Sequence, residues 1–336
     1  MGAVLTEGDM KETIGIRDVA EACGVSIGTV SKALNRSERI GDETAERIRR
    51  VAREMGYIGS GAARALSGRR RRVSILLPEE DTWETVRYAR AAERILPALP
   101  AFGMEGELIR LPAGRNAPFF GREKPDALIL PSSVIGRAGE IATEIPSVLL
   151  HARSSLISPV AEAVPDYRVA GRLAAQFSAF ATTGGGCAIL ISRRGTYAGE
   201  EMIRGFREIS ARLALPFAGV AECGESSRQT ALEIRRLGEE TARLRTLFVA
   251  SPLIPAVLAT MAETKKKYTV IGTDFSSPAT EALRAGQVAA LLYTAPERQM
   301  EEAVRALRGW LFGGKAAGLI PVRPELVLRS NLECYQ

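Results

Sequence analysis

Between residues 16 and 57 apolar side chains recur at helical spacing three times, and no stretch alternates as a strand does. In IRDVAEAC, Ile16, Val19, Ala20 and Cys23 share one face, and Gly24 suits a C-terminal cap. In the second segment Ser26 can accept from the free amides of a helix start, while Val30, Ala33 and Leu34 form an inward stripe. The third starts at Asp42 as N-cap, turns Ala45, Ile48, Ala52 and Met55 inward and ends at Gly56. Three short helices around one small core are predicted. From Val73 onward the texture changes to apolar strands alternating with amphipathic helices: VSILL, a helix from about Trp83 to Leu96, then ELIRL, ALIL, SVLL, CAILI, FVA, YTVIG and VAALLY. Helical stretches such as MIRGFREISARL and ERQMEEAVRALRGWLF lie among them. That order implies parallel sheets with both faces covered, and the number of strands requires two such lobes.

The joint between the two textures is IGSGAARALSGRRRR, a linker with a marginal Ala-rich helix and four arginines. It changes the charge picture. The chain of 336 residues has a formal net charge of +6, and residues 1–72 hold 14 Lys or Arg against 10 Asp or Glu, which directs the amino-terminal part toward a polyanion. The triple glycine at 184–186 lacks the Gly-Lys-Ser/Thr of a phosphate loop and reads as a turn before a strand, and Lys265 to Lys267 read as the solvated end of a helix. Cysteines at 23, 187, 223 and 334 are too scattered for a zinc knuckle or redox pair and read as four free buried thiols, so no metal or other cofactor is expected. No apolar run spans a bilayer and MGAVLTEGDMKETIG lacks a secretion-signal pattern, so a cytoplasmic protein with no membrane partner is expected.

With Val30, Ala33 and Leu34 inward, the outer stripe of the second helix carries Ile27, Gly28, Ser31, Lys32 and Asn35. Such a mixture suits a major groove: a bare glycine permits close approach, Lys32 can donate to guanine acceptors, Ser31 and Asn35 to phosphates, and Ile27 can meet a thymine methyl. The same spacing also describes solvated residues of a three-helix bundle, and spacing alone does not choose. The residues from Thr13 to Leu66 carry a resemblance that does. With Asp18-Val19-Ala20, Gly24-Val25-Ser26, Thr29-Val30-Ser31, Asn35 and Gly56-Tyr57, this stretch resembles the DNA-binding headpiece and hinge of the lactose-repressor (LacI/GalR) family of bacterial transcription regulators.

The resemblance implies an all-α helix-turn-helix headpiece at residues 13–58, a hinge helix and basic linker at 59–72, and an α/β, periplasmic-binding-protein-like (type I) two-lobe effector and dimerisation domain at 73–330. Ile27, Gly28 and Lys32 match base-reading positions, and Ile16, Arg17, Ser26, Thr29, Ser31 and Asn35 join them as DNA contacts. Leu66, with Ala63 beside it, matches the leucine that wedges into the minor groove. Gly59-Ser60 replaces the usual Pro-Asn, which implies a looser hinge, with Arg69 to Arg72 adding phosphate attraction.

In the large domain ligands are expected off the carboxyl ends of the strands. Glu79, Asp81 and Trp83 follow the first strand. Asp166 and Asp274 match two family aspartates. Four other family anchors are exchanged: Met202 stands in place of Arg, Ser251-Pro252 in place of Asn-Asp, His151 in place of Asp and Thr294 in place of Gln, with Arg204 as a neighbouring candidate. The expected effector is a sugar or another small metabolite, and a common free sugar would lose several of the family's contacts here. The whole reads as a sequence-specific regulator, a repressor by family habit, that binds a near-palindromic operator as a homodimer under the control of a small-molecule effector. The alternatives are a DNA binder that has lost effector response and a solute-binding protein of the same fold. An enzyme is not expected, since there is no dinucleotide fingerprint, nucleophile elbow or metal cluster.

Overall fold

The structure, a computed structural model, describes residues 16–34, 41–55, 70–112, 124–182, 184–224, 226–241 and 243–335. Asn35, Gly56, Ala63, Leu66 and most of the linker lie outside the described residues. The headpiece consists of α1 (Ile16–Cys23), α2 (Ile27–Leu34) and α3 (Asp42–Glu54). Gly24, at φ +61°, donates to Glu21 O, and Val25 donates to Ala20 O, which closes α1 in a Schellman motif only an unbranched backbone enters freely. The Ser26 hydroxyl accepts from Thr29 N–H at 3.1 Å and opens α2. Ala45 N–H donates to Gly41 O, so α3 is capped one residue earlier than Asp42. Val19, Val30, Ala33, Ile48 and Ala52 form the small core. Arg47 and Arg49 of α3 donate to Cys23 O and Ala33 O at the carboxyl ends of α1 and α2, where cations suit the helix dipole.

Two six-stranded sheets build the rest. Lobe 1 contains β1 (Arg71–Pro78), β2 (Met104–Leu111), β3 (Ala127–Pro131), β4 (Ser147–Leu150), β5 (Ala161–Pro165) and β11 (Gly318–Val322), in the order β11-β5-β4-β3-β1-β2, all parallel. Lobe 2 contains β6 (Gly186–Ile191), β7 (Phe217–Glu222), β8 (Leu244–Ala250), β9 (Thr269–Gly272), β10 (Ala290–Tyr293) and β12 (Glu325–Val327). Its order is β12-β10-β9-β8-β6-β7, parallel except for β12 against β10. Without the two tail strands, both sheets repeat the doubly wound order 2-1-3-4-5, which reverses between the first and third strands.

Helices α4 (Trp83–Ile95) and α11 (Pro296–Leu311) cover one face of lobe 1, and α5 (Ile135–Glu144) covers the other. In lobe 2, α6 (Tyr167–Ala181) and α7 (Tyr197–Arg212) cover one face, and α8 (Ser227–Glu240), α9 (Ile254–Thr264) and α10 (Ser277–Arg284) the other. The chain crosses between lobes after β5, after β10 and after β11; Asp166 N–H donates to Val322 O at 2.7 Å and ties the first crossing to the third. Helices α6 and α7 meet backbone to backbone: a Cβ on Gly171 would lie 2.0 Å from Met202 O, and one on Gly205 2.0 Å from Arg168 O. Arg87 of α4 reaches lobe 2, where its guanidinium lies 5.4 Å from the Tyr293 ring and 5.5 Å from Phe275 and donates to Tyr335 O.

Several sequence expectations change here. The first strand begins at Arg71, not Val73, and Arg71 pairs with Asp126 at 2.9 Å while Arg72 lies 3.8 and 3.7 Å from Glu105 and Glu107. These two arginines serve the lobe's own carboxylates, so the phosphate-directed run loses half its members. Cys23, Cys187 and Cys223 are buried, but Cys334 is exposed, because it sits in the terminal 3-10 turn, whose inward residue is Leu332. Strands β5, β7, β11 and β12 are additions to the pattern the sequence predicts. Gly184, at φ +68°, makes the turn before β6, and Lys265, at φ +52°, ends α9. Among the described residues no helix is long and apolar enough to cross a membrane.

Candidate functional site

A cleft of about 690 Å³ opens between the lobes. It lies off the carboxyl ends of the strands that flank both reversals of strand order: Pro78 at the end of β1 and Glu80 after it, Ser133 after β3, Ser192 and Arg193 after β6, and Ser251 and Pro252 after β8. At such a reversal the connections leave toward opposite faces of the sheet and a crevice remains between them. Helix α7 contributes Gly199 and Met202, and the close approach to α6 at Gly171 and Gly205 sets where its first turns lie.

On the lobe 1 side polar groups answer one another. Arg137 grips Glu80 with both terminal nitrogens, at 2.7 and 3.0 Å, and donates to Leu111 O, holding the Glu80 carboxyl below its ordinary pKa. His151 Nε2 lies 3.2 Å from Glu84 Oε1. His151 sits at φ +72°, a left-handed conformation that costs a residue with a Cβ about 1–2 kcal/mol. Two bonds hold it there: its N–H donates to Gln299 Oε1 at 2.9 Å, and Tyr167 OH donates to its carbonyl at 2.8 Å. Gln299, fully buried, also accepts from Tyr88 OH at 2.7 Å and donates to Thr294 O at 2.7 Å. The next residue, Ala295, is left-handed too, at φ +49°, so one amide organises both the histidine loop and the second interlobe crossing. Burial and then the Glu84 charge push the Tyr88 and Tyr167 phenols well above their ordinary pKa.

The lobe 2 side differs. Asp274 is 3% exposed and accepts from the Ser276 N–H and hydroxyl, both at 2.9 Å; burial raises its pKa against those two bonds. The Ser251 and Thr294 hydroxyls are buried and have no hydrogen-bond partner among the described residues. Chemically, this wall offers a carboxylate and two hydroxyls to a polar occupant.

Of the residues singled out in the sequence, His151, Met202, Ser251, Asp274 and Thr294 line the cleft. Glu79 and Asp81 are exposed and outside the lining, where Glu80 between them points in instead. The Asp166 carboxylate is occupied as the N-cap of α6, accepting from Val169 N–H at 3.0 Å. Arg204 is exposed, paired with Glu201 and turned away from the cleft, one helical face from Met202. Trp83 opens α4, and its side chain is outside the described residues. Sequence reasoning missed Glu80, Glu84, Tyr88, Arg137, Tyr167 and Gln299. Gln299 was findable, since it is a polar residue on the inward stripe of α11 formed by Pro296, Met300, Ala303 and Leu307.

In the headpiece, Ile27 is 44% exposed and Gly28 is exposed on α2, opposite buried Val30 and Ala33. A Cβ on Gly28 would meet only Ser26 Oγ, at 3.7 Å, and its φ is not left-handed, so neither packing nor backbone demands a glycine there. Ser31 is half-buried and Lys32 lies in α2 with its side chain outside the described residues. The Ser26 and Thr29 hydroxyls bond each other at 2.8 Å at the helix start. Arg17 is exposed, while Ile16 packs against the headpiece core.

Residues 15–60 match the family described as "Bacterial regulatory proteins, lacI family". Over 61 residues the chain is 48% identical to the HTH-type transcriptional regulator DegA of Bacillus subtilis (strain 168), an alignment that covers 18% of either chain. The chain spans less than a third of the length of the curated relatives it matches. The larger part is similar in fold to GanP, a glucose-galactose binding protein from Geobacillus stearothermophilus, with TM-score 0.63 and 18% identity over 79% of this chain and 99% of that one. It is similar also to a protein described as a LacI transcriptional regulator from Bacteroides fragilis, with TM-score 0.60 and 15% identity over 80% of this chain and all of that one. At such identities the likeness is one of fold: a two-sheet α/β unit of the periplasmic-binding-protein kind behind a helix-turn-helix domain.

Proposed function

We propose, from the premise that residues 15–60 are a helix-turn-helix domain of the lacI family, that this chain is a sequence-specific DNA-binding transcription regulator whose cleft holds a small-molecule effector. Residues 13–58 read the duplex, the segment from 59 connects, and the two lobes sense and pair. The observation that carries the reading is α2 itself: Val30 and Ala33 are sealed in the core while Ile27 and the sterically unneeded Gly28 face outward, which is what a helix laid in a major groove requires. Ile27, Lys32 and Asn35 then meet bases or phosphates, Arg17, Ser26, Thr29 and Ser31 supply contacts around them, and Leu66 beside Ala63 wedges the minor groove of a near-palindromic operator bound by a homodimer. Its place is the cytoplasm, where the operator is, and its activity is binding rather than catalysis, as in the regulators it resembles.

In the cleft the effector contacts His151, Met202, Ser251, Asp274 and Thr294, joined by Glu84 and Arg137. It acts on DNA only through a preference for one arrangement of the lobes over another. The test of the DNA reading is Lys32→Ala. Titrated against a selected operator and against random duplex, it is expected to lose about 1–3 kcal/mol on the operator alone. An equal loss on both would reassign Lys32 to phosphates.

A further inference from the structure

The unpaired groups of the lobe 2 wall form a row. Val249 is in register with Gly272, and Leu291 with Gly272, so β8, β9 and β10 end side by side and set Asp274 between Ser251 and Thr294. Ser251 and Thr294 are 5% and 4% exposed, and each hydroxyl oxygen lacks a partner among the described residues. Among the described residues Asp274 receives hydrogen bonds from Ser276 alone, and no cationic side chain pairs with it. Across the cleft the Glu84 carboxylate adds negative charge beside His151. Of the two cleft arginines, Arg137 is committed to Glu80 and Arg193 is exposed at the rim.

The uncommitted charge deep in the cleft is therefore acidic, and hydroxyls that can either donate or accept flank it. A buried carboxylate is stabilised most by a cation that also donates hydrogen bonds. A neutral sugar can donate hydroxyl hydrogen bonds to the carboxylate but brings no opposite charge, and a sugar acid sets two carboxylates against each other. We propose that the cleft takes a small polyhydroxylated ligand bearing a protonated amine, with the ammonium on Asp274 and neighbouring ligand hydroxyls on Ser251 and Thr294. The proposal rests on the reading of the cleft as an effector site and gives that site its ligand class.

The experiment is calorimetric titration of the full chain with D-glucosamine, D-galactosamine and D-mannosamine, each beside its neutral parent sugar, and with D-gluconate. At least one amino sugar is expected to bind at least about tenfold tighter than its parent, the scale of one charge-assisted contact. Asp274→Asn is expected to abolish that preference, and Glu84→Gln, which does not touch the buried aspartate, to reduce it should the first variant not fold. A parent sugar or gluconate that binds as tightly, or no binding by any of the three amines, overturns the proposal. The same ligands are then added to the protein on a selected operator. If gluconate or a neutral sugar binds and shifts operator affinity, the regulator reading stands and the amine falls; if the protein shows no sequence preference for DNA at all, the regulator reading falls whatever the cleft binds.

Discussion

The two walls of the cleft are built by the same strand order and are chemically opposite. On lobe 1 the polar groups described above have answers within the protein: Arg137 with Glu80, His151 with Glu84, and Tyr88 and the His151 N–H on Gln299, which also reaches across to donate to Thr294 O. On lobe 2 Asp274 has only Ser276, and the Ser251 and Thr294 hydroxyls have no partner among the described residues. A satisfied network stabilises the protein whether or not a ligand is present, whereas buried unsatisfied groups are a standing penalty that only an occupant removes. The comparison separates a wall that holds shape from a wall that waits for a ligand, a separation open to test by substitution.

The largest effect is expected at Gln299. Replacement by Leu strands the Thr294 carbonyl, the His151 amide and the Tyr88 hydroxyl inside the protein, and about 3 kcal/mol of folding stability should be lost in denaturant titration of the ligand-free protein. A loss under about 1 kcal/mol would mean that the histidine loop and the crossing hold their left-handed residues without it. Asp274→Asn comes next and runs the other way. Because the folded protein raises the Asp274 pKa, the group favours folding below its ordinary value of 3.8, and that contribution disappears as pH rises through the folded value. Measured against wild type, the Asn variant should therefore gain relative stability as pH rises across the acid range and then level off; a gain that instead grows toward low pH contradicts the unpaired-carboxylate reading. Ser251→Ala should move stability least, within about 0.5 kcal/mol of wild type and in the stabilising direction, because it deletes an unanswered hydroxyl. A clear destabilisation there would place Ser251 in the same satisfied class as lobe 1.

Periodicity carries long regular elements and carries little else, which explains what the sequence did and did not disclose. The three headpiece helices, α4, α7, α11 and the apolar strands were legible because each buries a continuous stripe or run. The missed strands each break their pattern: β5 carries Glu162, buried against Arg153 at 2.8 Å, β7 is an edge strand with Gly219 at φ +131°, β11 contains Pro321, and β12 has three residues. At the cleft, Asp274, Ser251 and Thr294 were found because the family resemblance marks binding positions just after the strand ends, where the fold then places them. Glu80 was missed between Glu79 and Asp81 because a loop after a strand has no period to say which of three neighbours turns inward. Arg137 lies on α5, far from Glu80 in sequence, and a pair of that kind exists only once β1 and β3 are side by side. Arg71 and Arg72 looked like part of an unbroken basic run, and only the sheet shows the carboxylates waiting for them: Asp126 just before β3 for Arg71, and Glu105 and Glu107 on β2 for Arg72.

The reading of the whole chain stands or falls with the outward face of α2. Binding-site selection with the purified full chain on a random duplex pool, sequenced after several rounds, addresses it with no target specified. Enrichment of one near-palindromic sequence, lost from Lys32→Ala protein at defined positions of each half-site, is the expected result. A pool that remains random after selection, while the protein still retains DNA at low salt, would contradict sequence-specific regulation and leave only the charge of residues 1–72 to account for the binding.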